Sequence, residues 1–132
     1  MGYKNKNTSE LLLLANGVED FYCDEVLSGK TEVKKVLETE NTLAFYHTRP
    51  FYDVHIVVIP KKHITSLIDV KPEDKDVMND LISAIQRVSK QINDKYGACT
   101  VSTNLGEYQS NKHMHWYVHY GNRIKYLDGT WC

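Results

Sequence analysis

The sequence predicts an α+β domain: a five-stranded, mainly antiparallel sheet with one long helix laid across a face. Three observations carry that expectation. Val54-His55-Ile56-Val57-Val58-Ile59 is a β-branched run stopped by Pro60, apolar on both faces apart from His55. Val77, Met78, Leu81, Ile82, Ile85, Val88 and Ile92 recur with helical spacing. The segments follow in the order helices, three strands, long helix, two strands. At 132 residues the chain is expected to be one domain, 1–132, with no internal repeat or linker.

Taken in order, Thr8 or Ser9 can cap a short helix over Glu10–Ala15, ended by Asn16-Gly17. Its leucines, Leu11–Leu14, are expected to pack on the domain or on a second subunit. A second helix is expected over Glu19–Ser28, with Gly29 as its stop. Lys35–Thr39 and Thr42–Tyr46, separated by Glu40-Asn41, read as a hairpin. Residues 47–53 connect it to the Val54–Ile59 strand, which should be central. Lys61-Lys62-His63 is a polar segment at that strand's end, where ligand-binding groups often sit. A turn over Asp69–Lys75, with Pro72 as a first helical residue, opens the long helix, which runs to about Lys95. Cys99–Thr103 and a histidine-rich strand come last.

Composition excludes several classes. The net charge of -1, with 25% charged residues, provides no basic field for nucleic acid. Leu11–Ala15 is too short to span a bilayer. The three cysteines, Cys23, Cys99 and Cys132, form no CxxC pair and suit a reducing, cytoplasmic setting better than a disulfide framework.

The chemistry is expected in Gln109–Tyr120. From 113, the odd positions are His113, His115, Tyr117 and His119; the even ones are Met114, Trp116, Val118 and Tyr120. As a strand this gives one face of imidazoles and a phenol, and a reverse face able to bury a large apolar surface. Three uses are open: a transition-metal site, a phosphate site with an imidazole nucleophile, or an ordinary aromatic strand. His113, His115 and His119 would be the ligands of a metal-dependent hydrolase. His55 likewise reads either as a site residue or as a satisfied core histidine.

Val57-Val58-Ile59-Pro60-Lys61-Lys62-His63-Ile64, followed by Gln109-Ser110-Asn111-Lys112-His113-Met114-His115, resembles the histidine triad (HIT) superfamily of nucleotide hydrolases and transferases. In look it is closest to the Hint and dinucleoside-polyphosphate hydrolase-like members. Phe21-Tyr22-Cys23 with Ser28-Gly29, and Lys35-Val36-Leu37 with Leu43-Ala44-Phe45, extend the likeness over roughly residues 19–123. Asn104 and Arg123 fall where the family pattern expects them. The resemblance implies a homodimer and a metal-independent hydrolase or transferase without a cofactor. It would cleave dinucleoside polyphosphates or nucleoside phosphoramidates at the α-phosphate through a nucleotidyl-histidine. Carried over, His115 is the nucleophile, His113 the first triad histidine, and Tyr117 stands at the third triad position. Asn104, Ser110, His55 and His63 would serve the phosphate. His47, where the family often has an aspartate on the ribose, joins Asp53 and Phe45 as ribose- or base-side residues.

Tyr117 carries the main departure. A phenol donates a hydrogen bond but cannot offer the positive charge of an imidazolium. His119, about 6 to 7 Å further along the strand, replaces it only in a displaced pocket. The rival implication is a nucleotide-binding member with impaired catalysis. Some members hold a structural zinc through a CxxC pair. Here Asp20 stands at the position partnering Cys23, which is expected to be a small buried residue rather than part of a closed metal site.

Overall fold

A computed structural model describes residues 21–124. The expected helix over Glu10–Ala15 therefore lies outside the described residues. So does the start of the second helix, whose described remainder is a single π-helical turn, Tyr22–Leu27. Gly29, at φ +84°, ends it as anticipated.

Five strands form one sheet: β1 Lys35–Glu38, β2 Thr42–Tyr46, β3 Tyr52–Pro60, β4 Thr100–Thr103 and β5 Trp116–Arg123. Their order is β1-β2-β3-β5-β4, every neighbour antiparallel. The β-branched run is central, between β2 and β5. It begins two residues earlier than the sequence suggests, because a bulge between Tyr52 and Val54 lets Tyr52 pair with Arg123. Two 3-10 turns, Leu67–Asp69 and Pro72–Asp74, replace the single expected turn before helix α1, Lys75–Tyr96. Gly97, in the left-handed region at φ +89°, donates its N–H to Asn93 O and closes α1.

Alternation divides the sheet into two packed faces. Ala44, Ile56, Val58, Met114 and Val118 meet Leu81, Ala84, Ile85, Val88 and Ile92 of α1. Each of the Ile, Val, Leu and Met side chains contributes about 1.5–3 kcal/mol relative to exposure. Thr39 and Thr42 hydroxyls both donate to Asp80 Oδ2, at 2.5 and 2.8 Å, tying the first hairpin to α1. On the reverse face Leu43, Phe45, Val57, Ile59 and Tyr117 pack beneath Tyr22 and Val26. The central strand is thus buried on both faces, as its composition suggests, and the histidine face is roofed by the π-helical turn.

Among the described residues no helix is long and apolar enough to cross a membrane.

Candidate active site

β5 begins at Trp116, so His113 and His115 precede the strand instead of lying in it. Their segment is held by side chains and backbone from three directions. Gln109 Nε2–H donates to Thr65 O at 2.5 Å, and Met114 N–H donates to Ile64 O at 2.7 Å. Asn111 Oδ1 accepts the His113 N–H at 3.0 Å, while the Thr103 hydroxyl donates to His115 O at 2.7 Å. Gln109 and Asn111 are buried, and both are needed because a non-strand backbone here has no ladder partners.

This frame fixes two imidazoles. His115 Nδ1 lies 2.8 Å from His113 O; a carbonyl only accepts, so Nδ1 carries the proton and Nε2 the lone pair. His113 Nε2–H donates to Pro60 O at 2.7 Å by the same logic. That leaves His113 Nδ1 as acceptor for the Cys23 thiol, 3.3 Å away. His113 is 0% and His115 2% exposed. The Tyr22 ring covers both, its centroid 5.9 Å from His113 and 5.1 Å from His115.

A second imidazole pair stands beside them. His47 and His55 stack at 4.5 Å with 25° between planes, and Tyr117 meets the His55 ring edge-on at 4.5 Å. Tyr117 itself is 5.4 Å from His115. His47 Nδ1 accepts the Arg49 N–H at 3.0 Å, and His55 Nδ1 accepts the Phe51 N–H at 2.9 Å. In the neutral state both therefore present Nε2–H. Among the described residues the buried His55 Nε2 has no hydrogen-bond partner. Burial, then the neighbouring His115, push the His47 pKa down to about 3. Burial, then His47, His119 and His115, push His55 down to about 2. Both are neutral donors at physiological pH.

The remaining expected residues divide. Phe45 is buried on the site face, 6.0 Å from Tyr22. Asn104 directly follows β4 and Ser110 lies in the segment leading to His113; both are half-buried. His63 packs edge-on against His113 at 5.2 Å, on the Cys23 side of the pair rather than with His47 and His55. Asp53 does not join the cluster. Its carboxylate accepts the Asn122 N–H at 2.7 Å and braces the β3–β5 end against Gly121. His119 stacks on Tyr52 at 3.9 Å and 10°, and burial lowers its pKa. Lys61 and Lys62 pair with Glu38 and Asp74, and exposed Lys112 donates to Gly106 O, so these lysines are tethered rather than poised to steer a substrate.

One grouping could hold a cation. Cys23 Sγ and one ring nitrogen from each of His63 and His113 lie within 4.8 Å of one another. A thiolate and two imidazoles suit a soft divalent ion such as zinc, and supply three of the four ligands a closed tetrahedral site needs. Within the described residues, a metal would thus take Cys23 and His63 with His113, not the His113, His115 and His119 set that the spacing suggested. Cys23 is half-buried and bonded to a site histidine, not merely a small packed residue. Neither Tyr22 as a cover nor Cys23 as an imidazole partner was legible beforehand, since both contacts span some ninety residues of chain.

A five-stranded antiparallel sheet crossed by one long helix, with tautomer-fixed histidines buried at one strand end, defines the structural class. The chain belongs to the HIT domain family, whose profile matches residues 28–122. It is 30% identical over 96 residues to an uncharacterized HIT-like protein of Helicobacter pylori, covering 73% of this chain and 89% of that one. Among solved structures it is similar to a histidine triad protein from Clostridium difficile: TM-score 0.68, 28% identity, 82% and 95% of the two chains. It is also similar to a hypothetical histidine triad nucleotide-binding protein from Sulfolobus tokodaii: TM-score 0.67, 26% identity, 76% and 67% covered.

Proposed function

We propose that this HIT protein binds a nucleotide through its α-phosphate at His115, with covalent turnover weakened relative to a full histidine triad. The carrying observation is electrostatic. The imidazoles flanking His115 on the sheet face, His47 and His55, are held neutral, and Tyr117, 5.4 Å from His115, is on our reading the residue that takes the third triad position without adding charge. The His55 Nε2–H, the Tyr117 hydroxyl, Ser110 and Asn104 are neutral donors for phosphate oxygens. The charge that develops at phosphorus is then met by hydrogen bonds alone, which are about half as strong as charge-assisted ones. The nucleotide-binding designation of the Sulfolobus tokodaii protein supports the ligand class.

The fixed tautomer of His115 favours a second reading, residual nucleotidyl transfer in the Hint and dinucleoside-polyphosphate hydrolase manner. The Nε2 lone pair would attack the α-phosphorus, an Nε2–P bond forming as the P–O or P–N bond to the leaving group breaks. Water would then displace Nε2 and release the nucleoside monophosphate. Throughout, Nδ1–H stays on His113 O, so the ring carries its charge against a fixed acceptor.

Intact-protein mass after brief mixing with dinucleoside polyphosphates and nucleoside phosphoramidates separates the readings. Tight binding by calorimetry with little adduct is expected for wild type, and Tyr117→His should raise the adduct rate. His115→Ala should abolish it. Full adduct on wild type, unaffected by Tyr117→His, would reverse the order of the two readings. We take the protein to act as a homodimer, and light scattering at micromolar concentration tests that directly.

A further inference from the structure

We propose that Thr103 is a positioning residue that sets Asn104 beside His115 so that both meet one phosphate group; the inference rests on the reading of those two as phosphate-side residues. β4 and β5 pair in antiparallel register, Ser102 with Tyr117 and Thr103 with Trp116. One step further in the same register, Asn104 stands opposite His115. Facing residues of an antiparallel pair lie about 4.5–5.5 Å apart and share a side of the sheet. That side is the one Ser102 and Tyr117 occupy, because faces alternate with period two. Yet the backbone ladder stops short of this step: β4 ends at Thr103 and β5 begins at Trp116. The Thr103 hydroxyl stands in for the missing rung, donating to His115 O at 2.7 Å. One residue thus grips the His115 carbonyl through its side chain and carries Asn104 on its own peptide bond.

The two halves of this joint are anchored unequally. On the β5 side, buried Met114 and half-buried Trp116 pack into the core under α1. On the other, β4 is a four-residue edge strand whose neighbour among the described strands is β5 and whose first two residues are exposed. Beyond Asn104 the chain returns to the histidine segment at exposed Lys112, which donates to Gly106 O at 3.1 Å. The hydroxyl therefore passes the rigidity of β5 across to Asn104 at the place where the ladder no longer does. Its worth lies in the tie rather than in satisfying the His115 carbonyl. Water or another donor can saturate an oxygen, but it fixes no spacing between two chain segments. An amide and an imidazole that share one tetrahedral group must be held to within about 0.5 Å, so a loose joint weakens both contacts together. Valine keeps the branched shape and strand preference of threonine without the hydroxyl, and serine keeps the hydroxyl without the branch. The pair of variants separates the tie from the packing.

The test uses the full chain and a double-mutant cycle of Thr103→Val with Asn104→Ala. Its first readout is calorimetric titration with adenosine 5′-monophosphate and with inorganic phosphate. Thr103→Val should weaken binding about fivefold and Asn104→Ala about tenfold, while the double variant stays within about twofold of Asn104→Ala. Thr103→Ser should bind within about twofold of wild type. A Thr103→Val affinity equal to that of wild type would overturn the proposal. So would losses that multiply to about fiftyfold, because the hydroxyl would then act independently of Asn104. The second readout needs no ligand: the NMR signals of the Asn104 side-chain amide. In Thr103→Val they should shift or broaden toward those of a solvated asparagine while the β3 backbone signals stay in place. In Thr103→Ser they should match wild type. Unmoved Asn104 signals in Thr103→Val would overturn the proposal whatever binds. A wild type that binds neither probe sinks the phosphate reading alone, and the Asn104 signals still decide the role of Thr103. If Thr103→Val does not fold, Thr103→Ala replaces it in both measurements and the same outcomes decide.

Discussion

The two faces of the sheet are built from alternate residues of the same strands, and they are held together differently. On one, Ile56, Val58 and Val118 pack aliphatic surface against α1. On the other, His55, Val57 and Tyr117 face a roof of aromatic rings and imidazoles, each of four histidines fixed through one ring nitrogen to a carbonyl or an amide. Apolar packing tolerates exchange at constant volume, whereas a buried imidazole tolerates almost none, because each ring nitrogen left unsatisfied costs about 1–3 kcal/mol. The helix face sets how stable the protein is. The histidine face sets what it can do, and it draws on stability supplied from behind.

One direct test of this contrast is Leu81→Ala on α1. It should lower unfolding free energy by about 3 kcal/mol in denaturant melts while nucleotide affinity of the folded protein stays within about twofold. A comparable loss of affinity would mean the faces are coupled. Next is the acid response. His55 has a folded pKa of about 2 against an ordinary 6.5, so the unfolded chain takes up a proton that the native site refuses. Stability should therefore decline as pH falls below about 6.5 and level off only near the folded value. The slope from this one residue is up to about 1.4 kcal/mol per pH unit. His55→Phe should flatten that slope; an unchanged slope would place the proton uptake elsewhere. Tyr117→Phe should weaken nucleotide binding roughly tenfold or less, with stability altered by about 1 kcal/mol. The smallest effect is expected at His119→Leu, which loses a stack on Tyr52 and an edge contact with His55 and should change binding less than about twofold.

Periodicity made the helix face legible. The apolar stripe of α1, the central β-branched strand and the hairpin are consequences of period 3.6 and period 2, with two departures: Ile82 of the expected stripe is exposed, and the central strand starts at Tyr52. The strand reading failed at His113 and His115, where the same alternation continues without a strand. Buried Gln109 and Asn111 replace ladder bonds with side-chain bonds there, and no local pattern announces that substitution. Nor did any local pattern announce that Asp53, at the bulge between Tyr52 and Val54, would accept the Asn122 amide. Cys23 and Tyr22 sit in a turn too short to show a helical period, yet they meet residues at the far end of the chain. His63 was expected beside the phosphate residues, and the sequence could not say that it would pack edge-on against His113.

The connection between β2 and β3 carries a further consequence. Its Arg49 and Phe51 amides are what force His47 and His55 to show Nε2–H. Which nitrogen of each ring bears the proton is thus written in the length and path of a short loop, not in the histidines. Inserting or deleting a residue between Thr48 and Phe51 would exchange donor for acceptor across half the site while every imidazole stayed in place. For anyone redesigning this scaffold, that loop is a selector: changing it reprograms which ligands are welcomed, and the strands beneath need not be touched.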